Sequence, residues 1–109
     1  MYDQYLVTGA TGFLGRAVVE ELVRCGAQVC ALVLHNDPCI ALLPKEVRTV
    51  IGDVCVKSSL AGFFSDADSR TCVIHCAGIV SGASRPGPRL YRVNVGGTWN
   101  ILQQCMEHK

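Results

Sequence analysis

Apolar runs of four to seven residues alternate with longer amphipathic stretches along this chain. Continuous apolar runs are typical of strands buried on both faces of a parallel sheet, and apolar residues three or four apart are typical of helices. The clearest strand is QVCALVL at 28–34, and Gly26 stands where a helix C-terminal cap is favoured. The pattern predicts strands at 5–8, 28–34, 47–51 and 71–76, helices at 13–25, 56–64 and 89–108, a short helix ending at Leu43, and a Gly- and Pro-rich loop at 82–88.

This order of elements predicts an α/β fold. Strands that alternate with helices form βαβ units, and their right-handed crossovers leave few topologies. We therefore predict a Rossmann-type doubly wound parallel sheet, present in part, with about four strands in the order 3-2-1-4. The chain has 109 residues, the length of one small domain, so we assign residues 1–109 to a single domain.

Composition excludes several classes of protein. Half of the residues are hydrophobic, 17% are charged, and the formal net charge is +1. A nucleic-acid module would show a basic excess, and a disordered tail would combine low hydrophobicity with high net charge. No apolar run approaches the roughly 18 residues that a membrane helix needs, and the N-terminus has no secretory signal pattern. We expect neither nucleic acid nor membrane as a partner.

Cysteine usage points to a reducing compartment. The number of cysteines is odd, seven, and none forms a C-x-x-C pair. Most stand in apolar surroundings, where a free cysteine behaves as a small buried hydrophobe. Cys72 and Cys76 would share one face of a strand while His75 points to the other, so we predict no metal site. We expect a cytoplasmic protein with free thiols.

The strongest local signal is TGATGFLG at 8–15, which follows a strand and opens a helix. Gly9 allows a tight turn, Gly12 lets a pyrophosphate approach the backbone, and Gly15 lets the helix pack close to the sheet. The free N–H groups of the first helical turn then face the anion. A tight turn between strand and helix, without a ligand, is the alternative.

Four segments together resemble a known family, the extended short-chain dehydrogenase/reductases, also called the NAD-dependent epimerase/dehydratase family. They are TGATGFLG at 8–15, GDV at 52–54, HCAG at 75–78 and NVGGTWNIL at 94–102. The ALV run, the ALLP segment and GDV look most similar to the dihydroflavonol-reductase and 3β-hydroxysteroid-dehydrogenase branch. The resemblance implies that residues 1–109 are the NAD(P)-binding part of an oxidoreductase, epimerase or dehydratase that transfers hydride at a hydroxyl or carbonyl carbon of a small molecule.

The resemblance also implies individual cofactor-binding residues. Asp53 would accept a hydrogen bond from the adenine amino group, with a turn or cap residue as the alternative, and Val54 would pack on the ring. Ala77 and Gly78 would line the ribose near the nicotinamide, and Asn94 would be a buried residue tying the last helix to the sheet. The pyrophosphate would be held by Gly9, Thr11, Gly12, Phe13, Leu14 and Gly15.

The end of the second strand departs from the family pattern. NAD-binding members place an acid there for the ribose, and NADP-binding members often place an arginine there for the 2′-phosphate. Here the stretch is Leu34-His35-Asn36-Asp37, with neither in the usual place. His35 and Asn36 are candidates for contacting a ribose or phosphate, and Asp37 stands somewhat late. The cofactor is thus NADP or NAD, and the branch resemblance favours NADP slightly.

Catalytic residues of the family type are missing. The family's chemistry uses Tyr-x-x-x-Lys, and none of the three tyrosines is followed four residues later by lysine. We therefore assign no catalytic residue, and we expect the chain alone to be inactive. A non-catalytic NAD(P) sensor or an inactive truncated fragment are the alternatives to a cofactor-binding part of an enzyme.

The last helix carries two apolar stripes. One contains Leu90, Val93, Gly97, Ile101 and Cys105, which suits a face packed on the sheet. The adjacent stripe needs another cover, and the resemblance implies a homodimer through helix 89–108, with further helices of a longer chain as the alternative. The adjacent stripe consists of Tyr91, Val95, Trp99, Leu102 and Met106.

Overall fold

The computed structural model describes residues 2–79 and 87–108 and shows one parallel sheet flanked by helices. Most of the predicted loop at 82–88 lies outside the described residues, and Pro88 belongs to a helix. The elements are β1 (Gln4–Thr8), α1 (Phe13–Arg24), β2 (Val29–Val33), a 3₁₀ turn (Pro38–Leu42), β3 (Arg48–Ile51), a second 3₁₀ turn (Lys57–Leu60), β4 (Thr71–His75), α2 (Pro88–Tyr91), a π-helical segment (Arg92–Gly97) and α3 (Thr98–Glu107).

The sheet has the strand order β3-β2-β1-β4, and all of its pairings are parallel. This confirms the predicted partial Rossmann-type sheet. All five residues of β2 are buried, as its continuous apolar run predicts. Thr8 at the end of β1 stands beside His75 at the end of β4.

The two faces of the sheet have separate hydrophobic cores, because successive strand residues point to opposite faces. Val7, Ala31 and Val33 pack with Val19 of α1 on one face. The intervening Leu6, Cys30 and Leu32 pack on the other face, with a cluster made of Val54, Leu60, Phe63, Phe64 and Ile101.

Helix α1 begins after the glycine-rich loop and ends at a glycine. Gly12 is its N-cap and Cys25 its C-cap. Gly26 has a φ of +80°, its N–H donates to the Val23 carbonyl, and the Ala27 N–H donates to the Leu22 carbonyl. This pair of bonds satisfies carbonyls at the helix end, and it confirms the predicted cap at Gly26.

The three helical segments from Pro88 to Glu107 follow one another directly. Their inner stripe is half-buried or buried, and all five residues of the second stripe are exposed, as the pattern predicts. Gln104 is buried although the pattern gave no sign of it, and its Nε2 donates to Glu107. A Cβ on Gly97 would lie 2.6 Å from Val54 Cγ2, so the π-helical segment packs against the loop after β3 through a bare backbone.

One predicted helix is shorter than expected. The segment at 56–64 is helical only over Lys57–Leu60 and continues as turns. The Ser59 hydroxyl accepts from the Asp53 N–H and donates to the Val56 carbonyl, which ties the start of this segment to the loop after β3. Within the described ranges, every helix is too short or too polar to span a bilayer. All seven cysteines are free.

Candidate functional site

A cavity of about 500 Å³ opens at the carboxyl ends of the strands. Its walls come from the segments that follow all four strands and from the start of the last helix. In an open α/β sheet, ligands bind outside the carboxyl ends of the strands, where the strand order reverses, and here that point lies between β1 and β4. The cavity therefore occupies the position at which this topology binds ligands.

The glycine-rich loop forms one wall, and close packing explains two of its glycines. Gly9 has a φ of +66°, and a Cβ there would lie 2.5 Å from the Cys76 carbonyl carbon. A Cβ on Gly15 would overlap the Gly9 carbonyl oxygen. Gly12 is different: it lines the cavity, and a Cβ there would meet only the Gly9 oxygen, at 3.4 Å. Gly12 thus leaves open space on the ligand side.

The N-terminus of α1 adjoins this wall. The first N–H groups of a helix have no partner within the helix, and together with the helix dipole they bind anions. The Phe13 and Leu14 side chains are exposed, Phe13 to 99%, and neither lines the cavity. The side chains of these two residues therefore do not shape the cavity.

Asp37, which stands somewhat late after the second strand for a ribose contact, lines the cavity. Asn36 has a φ of +62°, and the Asp37 N–H donates back to the Leu34 carbonyl at 3.3 Å, so a tight turn returns Asp37 to the strand end. Its Oδ2 accepts 2.7 Å from the Thr11 hydroxyl, and its Oδ1 accepts 2.9 Å from the Cys39 N–H. His35 is exposed and does not line the cavity.

A sequence signal for Asp37 does exist. Asn tolerates the left-handed conformation that such a turn needs. Asp before Pro is a favoured start of a helical turn, because the carboxylate caps a free N–H and Pro fits the first helical position. Asn36-Asp37-Pro38 therefore marks a turn and cap that shorten the path from β2.

Asp53 and Val54 follow β3, and both line the cavity. Asp53 Oδ1 accepts 2.8 Å from the Cys55 N–H, so the carboxylate caps its own turn, as the alternative interpretation expects. Val54 is buried, and its carbonyl accepts 2.8 Å from Asn100 Nδ2. Burial raises the pKa of the neighbouring Cys55 thiol.

The segment after β4 completes the cavity. Ala77 and Gly78 line it, and a Cβ on Gly78 would lie 3.1 Å from Asn94 Oδ1. Asn94 accepts from the Ile79 N–H at 2.8 Å and donates to the Ile79 carbonyl at 2.9 Å. Asn94 therefore ties the helix to this segment, but it is exposed, so the expectation that it is buried is wrong.

Behind this wall, the Thr8 hydroxyl lies 3.1 Å from the N–H groups of Cys76 and Ala77 and 2.6 Å from His75 Nδ1. The other ring nitrogen of His75, Nε2, lies 3.0 Å from Thr98 Oγ1. Burial lowers the pKa of His75. His75 is thus hydrogen-bonded at both nitrogens, which a packing role alone does not require.

Both signs of charge line the cavity. Arg89 and Arg92 share its lining with Asp37 and Asp53, and nothing in the sequence pattern singled out the two arginines. Among the described residues, no three His, Cys, Asp or Glu side chains form a group able to hold a metal ion.

The predicted cofactor residues divide into two groups by their place relative to the cavity. Those that line it are Gly9, Thr11, Gly12, Asp53, Val54, Ala77 and Gly78. Those that do not are Phe13, Leu14, Gly15 and His35. The cavity thus joins residues from three of the four motif segments, which are far apart in sequence.

The sequence model of the NAD dependent epimerase/dehydratase family matches residues 5–109. The chain belongs to this family. The cavity suits the nicotinamide dinucleotide that the family uses, because Gly12, the N-cap of α1, lines it without a side chain.

This chain is similar in sequence and in structure to characterised proteins. Human 3 beta-hydroxysteroid dehydrogenase type 7 is 34% identical over 94% of this chain, and short-chain dehydrogenase/reductase family 42E member 1 of Macaca fascicularis is 33% identical over 98%. The UDP-glucose 4-epimerase of Thermus thermophilus, in complex with NAD, has a TM-score of 0.78 at 29% identity, covering 95% of this chain and 34% of that one. The chain spans 29% of the human relative's length and 27% of the macaque relative's.

Proposed function

We propose that this chain is the NAD-binding part of an enzyme that transfers hydride at a hydroxyl or carbonyl carbon of a small molecule. One observation carries the proposal: the glycine-rich loop, the α1 N-terminus and the segments after β2, β3 and β4 enclose one cavity at the point where the strand order reverses. The bound nicotinamide would supply or accept the hydride.

Each wall would have a separate task in holding the dinucleotide. The backbone N–H groups at the start of α1 would bind the pyrophosphate, and Gly12 would admit it. Asp53 would contact the adenine through the oxygen that does not cap the Cys55 N–H. Ala77 and Gly78 would leave space for the ribose next to the nicotinamide.

Asp37 supports NAD rather than NADP, against the slight preference for NADP that the branch resemblance gives. A carboxylate at the end of β2 accepts hydrogen bonds from ribose hydroxyls and repels a 2′-phosphate. Asp37 reaches the cavity through the Asn36 turn and is held there by Thr11. We infer that Asp37 takes the place of the acid that the strand end lacks.

A non-catalytic cofactor-binding role is the second candidate. No Tyr-x-x-x-Lys stands in these 109 residues, so proton transfer to a substrate oxygen has no family-type donor within them. A turnover assay with NADH and carbonyl compounds tests whether this chain is catalytic by itself. We expect this chain alone to bind NAD without turnover, and turnover abolished by Gly12→Asp would contradict that expectation.

Calorimetric titration with NAD⁺, paired with thermal unfolding, tests the proposal. We expect saturable binding and a melting temperature that rises with NAD⁺ concentration. Gly12→Asp should remove both effects, because its carboxylate would fill the approach and repel the pyrophosphate. Gly96→Asp is the matched control, since Gly96 lies outside the cavity lining with open space at its Cβ position. Equal loss in both variants, or no binding by the unmodified chain, would refute the proposal.

A further inference from the structure

A line of side-chain hydrogen bonds runs behind the cavity from β1 to α3, through Thr8, His75 and Thr98. The Thr8 hydroxyl accepts from the Ala77 N–H and shares the Cys76 N–H with the Thr8 carbonyl, which favours donation of its own proton to His75 Nδ1. Thr98 donates its proton to the Asn94 carbonyl at 2.7 Å, which favours an oxygen that accepts from His75 Nε2. These partners favour a neutral His75 with its proton on Nε2.

This line of bonds holds the backbone that faces the ligand. Thr8 is fully buried and immediately precedes Gly9. The two N–H groups that its hydroxyl binds belong to Cys76 and Ala77, which line the cavity together with Gly9. Because Gly9 is in close contact with the Cys76 backbone, a shift of either segment changes the shape of the wall.

We propose that His75 is a positioning residue for cofactor binding, acting through the Thr8 hydroxyl on the backbone wall of the cavity. The inference rests on the proposed function, because the wall has a ligand to position only if the cavity holds a dinucleotide. His75 itself does not line the cavity, so it acts without touching the cofactor.

Protonation of His75 would disturb this arrangement. An imidazolium has a proton on both nitrogens, and the one on Nδ1 would face the Thr8 hydroxyl, which already accepts from the Ala77 N–H and shares the Cys76 N–H with the Thr8 carbonyl. The groups that face the ring are hydroxyls, Thr8 from β1 and Thr98 from α3, and the adjacent titratable residue is Cys76. Among the described residues, no charged side chain contributes to the lowered pKa, which burial causes. A charged ring would therefore compete with the backbone N–H groups of the wall for the Thr8 oxygen.

The test is to measure NAD⁺ affinity between pH 5.5 and 8 for the unmodified chain and for two variants. Each variant keeps the hydrogen-bonding role of one of the two ring nitrogens of His75. His75→Asn places an acceptor near the Nδ1 position, and His75→Gln places a donor near the Nε2 position. We expect His75→Asn to bind NAD⁺ nearly as well as the unmodified chain, and His75→Gln to bind at least about fivefold more weakly at pH 7.5. Thr98→Val should weaken binding, and Thr98→Ser, which keeps the hydroxyl, should restore it.

The dependence of NAD⁺ affinity on pH distinguishes a positioning role from a merely structural one, because a merely structural role of His75 would not change it. Because burial lowers the pKa of His75, the unmodified chain should keep its NAD⁺ affinity down to the ordinary histidine value of about 6.5 and lose it only at lower pH, and His75→Asn should not lose it. Nitrogen-15 NMR of the unmodified chain should show neutral His75 with its proton on Nε2 at pH 7.5, whether or not any variant folds.

The outcomes separate the two proposals. A charged ring or a proton on Nδ1 alone at pH 7.5 overturns the role of His75. Normal NAD⁺ binding that is independent of pH, or unchanged in folded His75→Gln, also overturns it and leaves the proposed function intact. If the unmodified chain binds no NAD⁺ at any pH, the proposed function fails, and this inference fails with it.

Discussion

The Thr11 hydroxyl donates a 2.7 Å hydrogen bond to Asp37 Oδ2, joining the glycine-rich loop to the turn after β2. The bond uses one carboxylate oxygen, and the Cys39 N–H uses the other. Both contacts orient the Asp37 carboxylate at the cavity. The side chain that we propose selects the cofactor is therefore held in place from the glycine-rich loop and from its own turn.

Replacing Asp37 should relax the choice between NAD and NADP. Asp37→Asn keeps an oxygen to cap the Cys39 N–H but loses the charge. We expect its NAD⁺ affinity to fall by about tenfold or more, since hydrogen bonds to charged groups contribute about 1.5–3 kcal/mol, while NADP⁺ affinity rises. Calorimetric titrations with both cofactors measure the change. Tighter binding of NADP⁺ than NAD⁺ by the unmodified chain would show that Asp37 does not set the preference.

Substitutions at two glycines of the loop should affect different properties, one the stability of the fold and the other NAD⁺ binding. Gly15→Ala would force a Cβ onto the Gly9 carbonyl, so we expect it to lower the free energy of unfolding by about 1–3 kcal/mol. Gly12→Ala meets only an ordinary contact and should leave stability unchanged while weakening NAD⁺ binding. Urea unfolding and NAD⁺ titration of both variants test this. A stable Gly15→Ala protein would mean that the helix moves away from the loop at little cost.

Adjacent glycines of the π-helical segment should respond in opposite directions. A Cβ on Gly97 would meet Val54 at 2.6 Å, and one on Gly96 would meet nothing within 4 Å. We expect Gly97→Ala to cost about 1–3 kcal/mol of stability. Gly96→Ala should be neutral or add up to about 1 kcal/mol, because alanine favours a helix over glycine. Chemical denaturation measures the free energy of unfolding of both variants. Equal values would show that the Val54 side chain moves aside at little cost.

Stability should fall on acidification through His75. Its pKa is lowered by burial, so the folded protein keeps the ring neutral at a pH where the unfolded chain binds a proton. The resulting stability is complete above the unfolded pKa of about 6.5 and is lost as the pH falls toward the folded value. The free energy of unfolding measured from pH 8 to 5 should drop less in His75→Asn than in the unmodified chain. If the free energy of unfolding falls equally with pH in both proteins, titratable groups other than His75 cause the pH dependence.

The homodimer through helix 89–108 stays a prediction, and the exposed stripe makes it testable. Trp99 is 55% exposed near the middle of that stripe. We expect sedimentation velocity to show a mass that rises with concentration, and Trp99→Glu to remain monomeric. Gln103→Glu, on the polar side of the helix, is the control for added charge. A monomeric unmodified chain at all concentrations would count against the dimer.

Sequence patterns predicted the sheet because its signals are local and strong. The unbroken apolar run that became β2 requires burial on both faces, and right-handed crossovers then allow few strand orders. The predicted helix at 56–64 was too long, because the spacing of Leu60, Phe63 and Phe64 reports their burial in the core, and the segment after Leu60 achieves that burial as turns.

The candidate site was harder to predict than the sheet. Gly9, Gly12 and Gly15 stand in a compact motif, so their neighbourhood could be anticipated. Asp37 reaches the cavity only through a left-handed residue, and counting positions from the strand end misplaces it. The bonds of His75 join residues 67 and 23 positions away, and no local pattern encodes such distances.

The parallel order of the sheet also imposes a sequence of events on the growing polypeptide. Thr8 is made early, yet it meets His75 only after 67 further positions have been synthesised. Pairings between strands so far apart in sequence form slowly, because the chain loses the entropy of closing a long loop before the new contacts stabilise the pair. The glycine-rich turn, whose Gly9 packs on the Cys76 backbone, thus reaches its final shape only after β4 has been made. Until β4 docks, β1 has an open edge that a chaperone or another nascent chain can engage.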